Sequence, residues 1–251
     1  MLPSPRLFLI IPVLNESPNI PRLMKNLEEL RASLDGQFKC CILFVDDGST
    51  DDTSERIMQN SGSLSVEVLK HQSNRGPGAA FGTGFEQLHP VLSKTDWVVT
   101  LEGDNTSRIQ TLHQMLVRRL EGFDVVLASP YMYGGGITQT SLIRIFMSHI
   151  ANTLIKELLG IRGILTMSSF YRLYSAPILM KLQQRYGSRI LESSGFECMV
   201  ELLSKLIRVN ASVSEVAMPL DGSNRVGKSK MKILRTIRGY FRLFTMTRSW
   251  K

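Results

Sequence analysis

Cysteine is scarce: three occur in 251 residues, and two of them sit side by side at Cys40 and Cys41 inside an apolar run. That spacing suits neither a disulfide framework nor a zinc site, so a reduced cytosolic setting is expected. No apolar run approaches the roughly 20 residues needed to cross a bilayer. No internal repeat or low-complexity tract appears. Nor is there an export signal, since Met1-Leu-Pro-Ser-Pro-Arg6 leads straight into a strand-like run. With 43% hydrophobic residues and ordinary glycine and proline, disorder is excluded, and the length allows one large α/β domain or two small ones. Acidic residues are outnumbered 22 to 30, a net charge of +8 that calls for an anionic partner. Charge alone does not choose among nucleic acid, a phosphorylated substrate and a membrane surface.

What is present is organised around the run Trp97 to Leu101, which ends abruptly in Glu102-Gly103-Asp104. A buried strand delivering two carboxylates at its carboxyl end, separated by a residue without a side chain, makes a seat for a divalent cation and a diphosphate. Taken alone, the triplet reads more readily as a solvated acidic turn after a strand. Two earlier segments repeat the pattern. Leu7 to Leu14 is continuously apolar and ends in Asn15-Glu16-Ser17-Pro18, followed by Leu23, Leu27, Leu30 and Leu34 at helical spacing. Cys40 to Val45 ends in Asp46-Asp47-Gly48-Ser49 and leads into a short helical pattern. A third strand, Val66 to Leu69, precedes a helix whose early turns hold Gly78, Gly82 and Gly84, a sign of close backbone approach. Strands alternating with helices predict a mainly parallel sheet with ligands at the carboxyl ends of its strands.

Beyond Asp104, helical spacing through Leu112, Met115, Leu116 and Leu120 precedes a strand at Asp124 to Ala128. The loop from Pro130 to Thr140, with three consecutive glycines, is the nearest thing to a seam. Residues 141–159 read as a helix, as do the stretch after Arg172 and the one from Gly195-Phe196-Glu197 through Leu206, and Val213 to Met218 reads as a strand. From Asn224 onward, Leu234, Ile237, Phe241 and Phe244 recur at helical spacing beside Lys232, Arg235, Arg238 and Arg242. This basic amphipathic pattern fits an interfacial membrane helix, or a last helix packed on the core with a solvated basic side. The chain thus divides into a globular domain over residues 1–231 and a basic segment over 232–251.

Three acidic clusters, at the ends of strands expected to be neighbours, would converge on one crevice. Crowded carboxylates repel unless a cation or hydrogen-bond donors offset them, which points to a metal and a polar ligand such as a nucleotide. A metal-bound diphosphate leaving group is a reaction type such a site serves, because the cation stabilises charge developing as the bond breaks. Arg144, Arg172, Arg225 and Lys228 are candidates to hold a second anionic group, surface solvation being the competing reading for each.

Ile11-Pro12-Val13-Leu14-Asn15-Glu16 with Asn19-Ile20, then Val45 to Asp51, then Arg75-Gly76 with Gly78 and Gly82, then Glu102-Gly103-Asp104 resemble the successive motifs of glycosyltransferase family 2. The later chain is similar to the dolichol-phosphate mannosyltransferase branch through Arg144 to Asn152, Ser169 to Tyr174, Gly195 to Leu203 and Arg225 to Lys230. The resemblance implies a GT-A fold and a hexosyltransferase that inverts the anomeric centre. The donor would be a nucleotide diphosphate sugar and the acceptor a polyprenyl phosphate of dolichyl or undecaprenyl type. Pro12, Leu14, Glu16, Val45 and Asp47 would line the nucleotide pocket. Glu102, Gly103 and Asp104 would meet the diphosphate, with Asp104 as main ligand of Mg2+ or Mn2+ and Thr106 nearby. Arg144, Ser148 and Arg225 would bind the acceptor phosphate, and Arg172 and Lys228 the donor diphosphate or the incoming phosphate.

The chain departs from the branch at three places. Glu102 replaces the first carboxylate of the usual Asp-x-Asp, Ala128-Ser129-Pro130 lacks an arginine after the serine, and Thr166 to Phe170 replaces Asp-Pro-Thr-Ser-Gly. A peripheral enzyme on the cytosolic face of a membrane, or one docked to a membrane partner subunit, is expected. The alternatives are a soluble sugar or glycan acceptor, and a non-catalytic scaffold in a cell-envelope assembly. Nucleic acid is not expected as a partner, because the candidate site is acidic and no nucleic-acid motif is present.

Overall fold

The computed structural model describes residues 4–139, 152, 153, 155–157, 159–227, 233–247 and 250. The strands are β1 (Arg6–Val13), β2 (Lys39–Asp46), β3 (Val66–Lys70), β4 (Trp97–Thr100), β5 (Val125–Ser129), β6 (Gly136–Thr138), β7 (Arg172–Ser175), β8 (Val213–Ala217) and β9 (Pro219–Asp221). Seven form one sheet in the order β3-β2-β1-β4-β7-β5-β8, and β6 pairs with β9 in a small separate sheet. Every pairing in the large sheet is parallel except those of β7, which runs antiparallel to both β4 and β5.

Helices cover both faces: α1 (Ile20–Ser33), α2 (Thr53–Gln59), α3 (Pro77–Leu88), α4 (Thr111–Leu120), α5 (Ala176–Tyr186), α6 (Cys198–Arg208) and α7 (Ile233–Met246). This is why β1 and β2 read as unbroken apolar runs. Phe8 and Ile10 of β1 join the cluster built with α3, α5 and α6, while Leu7, Leu9, Ile11 and Val13 join the one built with α1 and α4. Each such side chain stabilises the fold by about 1.5–3 kcal/mol when fully buried, so neither face is dispensable. At the amino edge Arg6 pairs with Asp96 at 2.5 Å and ties the start of β1 to the approach to β4. Burial pushes the Asp96 carboxyl up, but Arg6 and the N–H groups of Ser93 and Arg6 outweigh it and hold it below the usual aspartate range.

One element differs from the sequence reading. β7 reads as loop and helix start in the sequence; it is a four-residue strand, buried throughout, inserted between β4 and β5. The loop from Pro130 onward is bound into the fold as far as it is described, because β6 pairs with β9 and Met218 N–H donates to Ser129 O at 3.0 Å. The expected helix over residues 141–159 lies mainly outside the described residues.

The C-terminal segment is partly consumed by packing. Leu243 of α7 is buried, and so is Trp250, whose ring lies 4.8 Å from the Lys205 ammonium. Lys205 is itself fully buried and bonds Glu201 at 2.6 Å and Glu192 at 2.9 Å, and the Trp250 indole N–H donates to the same Glu192 at 3.2 Å. Arg238, Phe241, Arg242 and Thr245, spaced for one face, are exposed.

The glycines of α3 separate packing from propensity. A Cβ at Gly78 would lie 2.0 Å from Ser193 O, whereas one at Gly82 meets nothing nearer than Leu191 at 4.0 Å. Gly78→Ala should therefore lower stability by about 1–3 kcal/mol. Gly82→Ala should be neutral or stabilise by up to about 1 kcal/mol. Urea unfolding of the two variants checks this, and equal losses would contradict the close approach.

Candidate active site

Because β2, β1 and β4 are adjacent and parallel, the loops that follow them emerge side by side. Asn15, with φ +48°, donates its N–H to Ser49 Oγ at 2.9 Å and accepts from Thr50 N–H through its side-chain oxygen at 2.8 Å. Glu16 N–H donates to Thr53 Oγ1 at 2.9 Å, and the buried Glu16 carboxylate accepts from Asn19 Nδ2 at 2.5 Å. Gly48 has φ +80°, and a Cβ there would lie 2.6 Å from the Ser73 backbone, so only glycine lets this loop meet residues 71–76.

The paired aspartates after β2 are structural in their contacts. Asp46 is fully buried and accepts from Ser49 N–H at 2.7 Å and from the Ser54 hydroxyl. Asp47 accepts from Gly76 N–H at 2.7 Å, Arg75 N–H at 2.9 Å and His71 Nδ1 at 2.7 Å, while His71 Nε2 lies 3.0 Å from Thr83 Oγ1. With three partners on its two oxygens, Asp47 fixes the 71–76 loop.

Gly103 is what allows the third loop to lie on β1: a Cβ there would be 2.7 Å from Val13 Cγ1. Next to it, Asp104 is buried, its side chain 7% exposed. Its Oδ1 accepts from Thr106 N–H at 3.0 Å and the Thr106 hydroxyl at 2.7 Å, and its Oδ2 accepts from the Arg225 guanidinium. Asn105, with φ +61°, donates to Asn19 O at 2.9 Å, and its own Oδ1 is buried with no hydrogen-bond partner among the described residues. Asn19 bonds Val226 in both directions, accepting its N–H at 2.9 Å and donating to its carbonyl at 3.1 Å. Asp221 N–H donates to Thr106 O at 3.1 Å. The 221–226 segment is thereby stitched over the Asp104 loop.

The structure thus gathers Glu16, Asp47, Gly103, Asp104, Thr106 and Arg225 at one edge, with Pro12, Leu14 and Glu102 half-buried beside them. It does not bring Val45 there as a side chain, since Val45 is fully buried in the apolar cluster with Ile10 and Phe81. Arg172 requires a correction. It is fully buried on β7, and Nε, Nη1 and Nη2 donate to the carbonyls of Ser169 at 2.6 Å, Met199 at 2.8 Å and Met167 at 2.8 Å. Its charge is spent holding the chain around β7 and α6, so it does not face a phosphate. Arg144, Ser148 and Lys228 lie outside the described residues. The sequence reading missed Asn19, Asn105 and His71 as site builders. Asn19 sits one turn after Glu16, and Asn105 follows an acidic turn where asparagine tolerates positive φ, so both left a local signal; His71, 24 residues from its partner, left none.

The chemistry of the donor set suits a hard cation, being entirely oxygen: a carboxylate at Asp104, a hydroxyl at Thr106 and the neighbouring Glu102. Among the described residues no three His, Cys, Asp or Glu side chains form a metal-holding group. A cation here would draw its remaining ligands from diphosphate and water, as Mg2+ does.

Residues 8–183 match the sequence model described as Glycosyl transferase family 2. The polyprenol monophosphomannose synthase of Mycolicibacterium smegmatis is 29% identical over 238 residues, 91% of this chain and 82% of that protein. An undecaprenyl-phosphate 4-deoxy-4-formamido-L-arabinose transferase of Pseudomonas savastanoi is 35% identical over 131 residues, half of this chain and 36% of that longer protein. Among solved structures, glucosyl-3-phosphoglycerate synthase of Mycobacterium tuberculosis, crystallised with Mn2+ and uridine diphosphate, aligns with TM-score 0.65 at 17% identity. The alignment covers 97% of this chain and 80% of that one. This last likeness shows the fold, a mainly parallel sheet flanked by helices as in GT-A enzymes.

Asp47→Asn keeps the shape but turns one acceptor into a donor facing the N–H groups of Arg75 and Gly76. It should cost about 1–3 kcal/mol in urea unfolding. Unchanged stability would contradict the role given to Asp47.

Proposed function

The chain belongs to glycosyl transferase family 2, and we propose that it transfers a sugar, with inversion, from a nucleotide diphosphate sugar to a polyprenyl phosphate at the cytosolic face of a membrane. The observation that carries this reading is Asp104 paired with Arg225 where the ends of β2, β1 and β4 meet. The site holds an anion-binding residue and a metal-binding residue in contact. The similarity to the Mycolicibacterium synthase supports the acceptor class.

In this reading Pro12, Leu14 and Glu16 border the nucleotide, and Asp47 holds the loop that closes it. Asp104 and Thr106 would hold Mg2+ or Mn2+, with Glu102 beside them to order the nucleotide. When bound there, such a cation would supply charge neutralisation for a diphosphate leaving group. A phosphate monoester already carries negative charge near neutral pH, its second pKa being about 6, so the acceptor needs no strong general base. Arg225 holds that phosphate in line, and positioning supplies much of the rate. Arg144, Ser148 and Lys228 complete the phosphate contacts, as the resemblance implies.

The exposed row Arg238, Phe241 and Arg242 on α7, with Tyr133 and Val226 also exposed, supports contact with an anionic membrane surface. No helix among the described residues is long and apolar enough to cross a bilayer. A soluble acceptor is the second reading, favoured by the burial of Leu243 and Trp250, which takes part of the C-terminal segment away from any membrane.

Incubation with a panel of nucleotide sugars, polyprenyl phosphate and Mn2+ should yield glycosyl polyprenyl phosphate, and Asp104→Asn should lower the rate by roughly 10^3-fold or more. Absence of both transfer and nucleotide binding would refute the enzyme reading, while transfer only to soluble acceptors would favour the second. In flotation assays the protein should bind anionic vesicles and not neutral ones. Arg238→Glu with Arg242→Glu should weaken that binding at least tenfold, at about 1 kcal/mol per lost cation plus repulsion. Equal binding to neutral vesicles would count against the electrostatic part of the reading.

A further inference from the structure

Asp104 is nearly fully buried, and a carboxylate so placed needs a counter-charge. Its Oδ1 is occupied by the N–H and hydroxyl of Thr106, two residues away on the same loop. Its Oδ2 is occupied by Arg225, 121 residues away on the segment that covers the site. A divalent cation approaching Asp104 therefore meets a guanidinium already bound to one of its two oxygens, and the two positive charges exclude each other.

We propose that Arg225 is a latch on the metal position: the guanidinium neutralises Asp104 until a divalent cation displaces it, and donor loading thereby releases Arg225 to face the acceptor phosphate. The inference rests on the reading of Asp104 as the metal-binding residue. The latch has the parts it needs. The Arg225 backbone is extended and its neighbour Val226 is pinned to Asn19 by two hydrogen bonds, so the segment stays while the side chain turns. Arg225 retains 22% side-chain exposure, which gives the head group a way out. The consequence is an order of binding. Metal alone competes poorly with the guanidinium, the metal with a nucleoside diphosphate competes well because the diphosphate adds ligands, and the phosphate-binding arginine is available only after the donor is seated. A latch closed about nine-tenths of the time weakens the apparent metal affinity roughly tenfold.

Mn2+ alone is the probe, with free ion counted by its electron paramagnetic resonance signal against the full chain. Arg225→Gln should bind Mn2+ roughly tenfold more tightly than the unaltered protein, while Asp104→Asn should lose binding. Equal or weaker binding by a folded Arg225→Gln would overturn the latch and leave Asp104 as the metal residue. Undiminished binding by Asp104→Asn would instead refute the reading on which the latch rests. A second measurement needs no variant: phenylglyoxal modification of Arg225, followed by peptide mass spectrometry, should rise on saturation with Mn2+. Constant or reduced modification would also overturn the proposal.

Discussion

The arrangement depends on neutralising carboxylates that the topology forces together. Parallel β2, β1 and β4 end at one edge, and each is followed by acidic residues, so the fold must supply opposite charge or donors at that edge. It does so differently at each strand. Asp46 and Asp47 are met mainly by N–H groups, hydroxyls and His71 from their own neighbourhood. Asp104 is met by a cation brought from the far end of the chain. Of these, only Asp104 is met by a side-chain cation from a distant segment, which is why the proposed function places the metal there.

Much of this was legible in the sequence because burial on both faces leaves a simple mark. Leu7 to Leu14 suits a strand covered on both faces better than one with a wet side, Cys40 to Val45 is a second apolar run of the same kind, and their acidic endings pointed to the crevice. What was not legible follows from partners distant in sequence. β7 is short and begins with a charged residue, so Arg172 read as a surface or ligand group. Only the fold shows it spanning three carbonyls inside the core. Val45 was assigned to the pocket as part of a motif, yet alternation along β2 turns its side chain to the apolar cluster. Asn19 was visible as a letter beside Glu16, but its role needs Val226, 207 residues later.

The C-terminal segment joins the two halves of the account. The residues just before it, Arg225 and Val226, cover the Asp104 loop, and its last part is tied to the core through Leu243 and Trp250, with the buried Lys205 network beneath. Between these anchors lies the exposed face with Arg238, Phe241 and Arg242. On the proposed function, a surface turned to an anionic membrane would be covalently continuous with Arg225 beside Asp104. This is a physical reason for a lipid-linked acceptor to be presented to this edge of the sheet.

The central claim is that Asp104 exchanges a guanidinium for a divalent cation carrying the donor diphosphate. The most direct measurement is a crystal structure of the complex with Mn2+ and a nucleoside diphosphate, with manganese located by anomalous scattering. The expected result is a manganese peak within ligand distance of an Asp104 carboxylate oxygen, with Arg225 withdrawn from that carboxylate. A manganese peak elsewhere, with Arg225 still paired to Asp104, would contradict it.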